Sequence, residues 1–227
     1  MKVLLNISLF LLSSLLLISC EEIIELPLES AEPLIVIEGK INDAVNRQEV
    51  LISEMQSFSA DSRRKPITNA EVLVNKDGGS WRKLREVEAG RYIIDNFRGK
   101  PGETYNLSVK YKGATYSAQS TMPQLVKIDS IGYRINDFDD SRRIPIISYQ
   151  DPPNVKNYYF CQLIINGEVN TSLFISNDKY TDGKIVRQSL NDFDLELLDN
   201  ALVKVELRNI DEASFNYCKS IQSQNGS

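Results

Sequence analysis

The sequence predicts an all-β fold of sandwich type that ends in a short helix. Three observations predict it. Short runs of alternating apolar and polar residues recur along the chain, and turn residues separate them. Of the 227 residues, 42% are apolar and 25% charged, an ordinary balance for a chain that buries a core. Only the tail carries apolar residues at helical spacing.

The first element is an export signal rather than part of the fold. Met1-Lys2 gives a positive start, and residues 3–18 are apolar except for Asn6, Ser8, Ser13 and Ser14. A membrane-spanning helix needs about 20 apolar residues, so this run has the length of a secretory signal. It ends in Leu17-Ile18-Ser19-Cys20, which resembles the bacterial lipobox. Residues 1–19 are accordingly expected to be a cleaved lipoprotein signal peptide, with Cys20 as the lipid attachment site. Each buried acyl methylene contributes about 0.8 kcal/mol, so two or more chains hold a protein on a bilayer. Residues 20–32 read as the lipidated tether, rich in acids (Glu21, Glu22, Glu25) and broken by Pro27.

From Pro33 the strands begin. Leu34-Ile35-Val36-Ile37 reads as a buried-strand run closed by Glu38-Gly39. Residues 70–75 lead into Lys76-Asp77-Gly78-Gly79, a hairpin turn in which glycine supplies positive φ. In residues 104–110 Tyr105, Leu107 and Val109 share one face while Asn106, Ser108 and Lys110 take the other. Lys112-Gly113 turns that strand, residues 114–121 return, and Met122-Pro123-Gln124 reads as a short link.

A second series starts near Val126. Ile131, Tyr133 and Ile135 alternate, residues 136–143 form a polar, acidic loop, and residues 144–150 run as a strand into Asp151-Pro152-Pro153-Asn154. Residues 158–165 are apolar on both faces, as in a central strand covered from two sides. Val203, Val205 and Leu207 alternate again. Asp211 then caps a short helix in which Phe215, Cys218 and Ile221 recur every three residues.

Several of these stretches, taken in order, resemble one family. They are Glu32-Pro33-Leu34-Ile35-Val36-Ile37-Glu38-Gly39, Phe97-Arg98-Gly99-Lys100-Pro101-Gly102-Glu103-Thr104-Tyr105, and Ser120-Thr121-Met122-Pro123 followed by Ile128-Asp129-Ser130-Ile131. Tyr149-Gln150-Asp151-Pro152, Asn157-Tyr158-Tyr159-Phe160 and Val205-Glu206-Leu207 complete the match. The family is DUF4249, uncharacterised lipoproteins of Gram-negative outer membranes. The resemblance implies two β-sandwich modules in series. The first, residues 33–124, is Ig-like or transthyretin-like, and the second, residues 125–227, is fibronectin type III-like. It also implies an accessory role beside a TonB-dependent receptor, and no catalytic residues. Relatives continue past the tail with a glycine-rich segment, whereas this sequence stops at Asn225-Gly226-Ser227. The resemblance therefore implies either a shortened chain or a second module lacking its closing strand. An unpaired sheet edge of that kind favours pairing with another chain.

The composition removes several chemistries. There is no histidine, which excludes Ser-His-Asp and Cys-His nucleophile systems, His-ligated zinc and imidazole bases. The net charge is -5; without residues 1–19, which carry only Lys2, 25 basic residues face 31 acidic ones and the charge is -6. Such a chain is a poor partner for nucleic acid, which requires clustered cations. Arg63-Arg64-Lys65 and Arg142-Arg143 are short and read as solvated loops. There is no nucleophile elbow and no phosphate loop.

Asp137, Asp139 and Asp140 cluster in one loop, and Asp178, Asp182 and Gly183 in another. Oxygen-rich loops hold calcium, but neither spacing is that of a calcium loop, so solvated acidic turns are expected. Tyr158, Tyr159 and Phe160 offer a stacking surface, but core packing is the expectation in so apolar a strand. Cys161 and Cys218 are expected as two buried thiols rather than as a disulfide. No catalytic, cofactor-binding or metal-ligating residue is assigned. The expected function is a non-catalytic binding or accessory lipoprotein of the outer membrane, facing the periplasm or the cell surface, held by its N-terminal lipid. A carboxylate-based surface hydrolase and an adhesive sandwich module are the alternatives.

Overall fold

The computed structural model of the chain describes residues 34–55, 64–139, 141–192, 197 and 200–225. The fold is all-β and sandwich-like, with antiparallel sheets and one C-terminal helix. The first nine strands are β1 (Leu34–Lys40), β2 (Gln48–Met55), β3 (Lys65–Pro66), β4 (Glu71–Lys76), β5 (Arg82–Lys83), β6 (Arg85–Glu88), β7 (Arg91–Ile94), β8 (Thr104–Tyr111) and β9 (Ala114–Thr121). They make two sheets, ordered β1-β2-β7-β6 with β3 beside β2, and β5-β4-β8-β9.

The period of two along these strands explains the packing. Val50 and Ile52 of β2, Val72 and Val74 of β4, Tyr92 and Ile94 of β7, and Tyr105 and Val109 of β8 point inward and form one core. Lys112 (φ 47°) and Gly113 (φ 81°) both take positive φ, as a two-residue hairpin turn requires, and turn β8 into β9. The turn after β4 also forms, with Asp77 and Gly78 at positive φ and β5 returning against Leu73 and Val74. One expectation is corrected. Residues 34–37 are not a buried run: among the described residues β1 is an edge strand paired only with β2, and Leu34 is 71% exposed. Edge position leaves one flank and part of the face to solvent, so Ile35 and Ile37 only lean on the core.

Seven more strands follow: β10 (Ser130–Ile135), β11 (Arg143–Gln150), β12 (Tyr158–Ile165), β13 (Glu168–Val169), β14 (Phe174–Asn177), β15 (Ile185–Ser189) and β16 (Val203–Ile210). One sheet is ordered β10-β11-β15. In the other, β12 pairs with β16 on one side and with β14 and β13 on the other. A second core lies between them, built on Ile147, Tyr149, Tyr159, Cys161 and Leu163.

Helix α1 (Glu212–Asn225) closes the chain. Asp211 caps it as the sequence suggested, its Oδ1 accepting from Ser214 N at 2.8 Å. Phe215 packs on Tyr158 with ring centroids 5.1 Å apart, which sets α1 against the outer face of β12. The other Asp211 oxygen accepts from Ser120 Oγ at the end of β9, a direct tie between the two halves.

Two expected outcomes follow from this packing. Leu163→Ala removes a fully buried side chain and lowers stability by about 3 kcal/mol, read as an earlier urea midpoint by circular dichroism. At Asp211, burial pushes the carboxyl up, but hydrogen bonds from Ser120 and Ser214 outweigh it and hold the pKa below its usual value. The unfolded carboxyl titrates near pH ~4, so the stabilisation is present above that pH and lost as pH falls through the lower folded value. Asp211→Ala therefore costs about 1 kcal/mol at pH 7, and the gap from the wild type closes below pH ~4 in paired denaturation series.

Candidate functional site

The most concentrated polar chemistry lies at one end of the second sandwich. Asp151 ends β11, Asp178 follows β14, and Asp182 lies in the turn before β15. One carboxylate oxygen from each falls within 4.8 Å of the others. Asp151 is fully buried, Asp178 is buried and Asp182 is exposed.

Every member of this trio has a donor. Asp151 Oδ1 accepts from the Tyr159 hydroxyl, and Oδ2 accepts from Gly183 N at 3.2 Å. Asp178 Oδ2 accepts from Asn157 N at 2.7 Å, and Asp182 Oδ1 from Asn154 N at 2.8 Å. Burial first, and the carboxylate acceptor second, raise the Tyr159 phenol far above its ordinary value, so it remains a donor. Gly183 takes φ 68°, and a Cβ there would lie 3.0 Å from Pro153 Cβ, which explains a glycine at this close approach. The trio thus clasps the end of β11, residues 154–157 and the 178–183 turn together. Three oxygens at this spacing suit a hard cation, but backbone and phenol donors already occupy one oxygen or more on each. A glycosidase holds its two carboxyls open to the bond they flank, and Asp151 reaches no solvent.

The other expected positions are placed as follows. Cys20 and the 20–32 tether lie outside the described residues. Asp137 pairs with Arg134 at 3.3 Å, and Asp139 accepts from Ser141, so that exposed loop is satisfied within itself; Asp140 lies outside the described residues. Tyr159 is in the core, Tyr158 lies under α1, and Phe160 lies under Arg208 at 5.6 Å. The three aromatics therefore pack and do not form one stacking platform.

Cys161 and Cys218 are both free thiols. Cys161 is fully buried, and burial pushes its thiol up to about 12. Cys218 departs from expectation. Because α1 covers the sheet with only one stripe, Cys218 is half-exposed. Beside Cys161, Gln188 Oε1 accepts from Ser176 Oγ at 3.1 Å and from Cys161 Sγ at 3.6 Å, a small polar network within the core.

Asp151 is the residue that sequence reading missed. In sequence it falls in the turn with Pro152 and Pro153, and nothing local shows that a strand end meets a turn some thirty positions later. The one available signal was the polarity of the 178–183 turn itself. The opposite end of this sandwich is mostly apolar: Ile131, Tyr133, Pro145, Leu197 and Val203, with Arg143 and Asn200 among them, line an open cleft of about 340 Å³. No helix among the described residues is long and apolar enough to cross a membrane.

A family model described as a domain of unknown function, DUF4249, matches residues 21–227. No curated protein matches the chain. Solved structures similar to it include a calcium-binding mutant of Bacteroides uniformis beta-glucuronidase 2, at 12% identity and a TM-score of 0.21 over 79% of this chain and 29% of that one. Bacteroides uniformis beta-glucuronidase is similar at 13% identity and a TM-score of 0.22, over 80% of this chain and 29% of that one. The chain thus spans less than a third of the length of either enzyme.

Removing one member tests the clasp. Asp151→Ala strands the buried Tyr159 hydroxyl and is expected to cost about 2 kcal/mol. Adding Tyr159→Phe removes the orphaned donor, so the double variant is more stable than the sum of the two singles implies, as a double-mutant cycle of urea midpoints would record.

Proposed function

Because this chain belongs to the DUF4249 family over residues 21–227, we propose that it is an outer-membrane lipoprotein held by lipid on Cys20. It serves without catalysis as a binding or accessory subunit of a TonB-dependent transporter. The observation that carries this reading is Leu17-Ile18-Ser19-Cys20 at the end of an uncharged apolar run, directly before the family-matched residues. Acylation of Cys20 supplies the chains whose burial holds the protein on the bilayer.

The body supports a recognition role more than a chemical one. Its carboxylate trio is closed by its own donors. The exposed apolar residues Ile131, Tyr133 and Ile135 instead lie along a sheet edge, which suits contact between protein chains rather than chemistry. Two sandwiches in series, residues 33–124 and 125–227, form the part held off the membrane. Glu21, Glu22 and Glu25 keep the tether polar.

The full chain, expressed in a Gram-negative host and labelled with a clickable fatty acid, tests the anchor. Label is expected on the wild type. Cys20→Ala accumulates as an unlabelled precursor still bearing residues 1–19 and leaves the outer-membrane fraction. Detergent capture of the acylated protein from its native outer membrane is expected to recover a TonB-dependent receptor in near-stoichiometric amount. Label on Cys20→Ala overturns the anchor, and capture without a receptor overturns the accessory role.

A further inference from the structure

β16 is an edge strand. Its whole length pairs with β12, and among the described residues no strand pairs with its other side. Asn166 N donates to Leu202 O at 2.9 Å, which sets the phase of that ladder. Alternation then turns the backbone groups of Lys204, Glu206 and Arg208 toward β12, and those of Val203, Val205 and Leu207 toward the open side. Helix α1 does not cover this edge. It lies over the outer face, with Phe215 on Tyr158 and Gln222 Nε2 donating to Leu173 O at 2.9 Å.

The opposing sheet is open along the same side. Ile131 and Tyr133 of β10 stand opposite Ile147 and Pro145 of β11, and so share the face on which Ile147 is fully buried. Ile131, Tyr133 and Ile135 are nonetheless 53%, 63% and 53% exposed. Ile131 and Tyr133 share a cleft with Val203 of β16. A core-side apolar stripe and an unpaired strand edge therefore border one opening.

We propose that this opening is closed by a second copy of the chain, through antiparallel pairing of β16 with β16 about a two-fold axis at Val205. The strand's own sequence selects the partner and the register. Centred on Val205, the pairing sets Lys204 opposite the partner's Glu206 and Glu206 opposite the partner's Lys204. On the core side it sets Val203 opposite the partner's Leu207. A centre at Glu206 would instead oppose Glu206 to its own copy and Lys204 to Arg208, which like-charge repulsion disfavours. A centre at Leu207 would set Val205 against Asn209, an apolar side chain against a polar one. The Val205 register extends the ladder, joins the two β12–β16 sheets, and brings the two exposed stripes of β10 to the same side of a self-complementary interface.

The test uses the full acylated chain in detergent, in a Cys218→Ser background that removes the half-exposed thiol. Across the proposed axis the two Cα atoms of position 205 lie about 5.5 Å apart, within disulfide reach of about 4.4–6.8 Å. Val205→Cys is expected to convert most of the chain to a reducible dimer under mild oxidation. Val203→Cys meets its copy four residues out of register, about 14 Å along the strand, and gives less than a tenth as much. Separately, Val205→Pro removes an N–H that the β12 ladder does not use. It is expected to keep the wild-type circular dichroism while sedimenting as a monomer, against a dimer for the wild type. A monomeric wild type, with or without a foreign protein on that edge, overturns the proposal. Equal crosslinking at positions 203 and 205, or a dimer that survives Val205→Pro, does so as well.

Discussion

Hydrogen bonding along both sides of β12 is the constraint on which the second sandwich depends. One flank is taken by β16 over its full length, the other by β14 and β13. With both edges paired, Tyr159, Cys161 and Leu163 are driven fully into the core. The Tyr159 hydroxyl, buried away from solvent, then needs an acceptor, and Asp151 supplies it. The acidic trio thus follows from the central strand, because a buried phenol holds the first carboxylate, and backbone donors bring the other two to it. The same pairing makes β16, among the described residues, the last strand of its sheet and leaves its far side to be satisfied from elsewhere.

A second device recurs in the first sandwich, where polar tips of inward side chains tie down loops. The Tyr92 hydroxyl donates to Ile67 O and accepts from Ala70 N. The Tyr105 hydroxyl donates to Glu103 and accepts from Lys100 N, and its pKa is raised to about 12, chiefly by burial. Gln48 is buried and bonds Asn42 and Val45, holding the loop between β1 and β2. Loops fixed from beneath are held to the sheets they connect.

How much was legible follows from the range of each signal. The β8–β9 hairpin and the Asp211 cap are local, because Lys112-Gly113 and an aspartate before a helical stripe specify backbone geometry within a few residues. β12 was legible as a central strand because its apolar residues fill both faces. The exposure of β1 was not, since an apolar run looks the same at an edge as in the middle of a sheet. Neither were β2 and β7, whose inward residues Gln48 and Tyr92 are polar or amphipathic and hide the period. The meeting of Asp151 with Asp178 and Asp182 is long-range, set by strand order rather than by spacing. The resemblance to DUF4249 was legible from stretches spread along the whole chain, and the family model that matches residues 21–227 bears it out.

The position of Cys161 has a consequence for how such a chain matures. A thiol attacks a disulfide only as its anion, and it is oxidised only where an oxidant can reach it. Cys161 sits with no exposed surface beneath Tyr149 and Gln188, and its ionisation is displaced to about 12. Once β12 has docked, the sulfur is withdrawn from redox traffic. Folding itself is then the safeguard against mispairing with Cys218, because only the interval before docking leaves the Cys161 sulfur open to an oxidant.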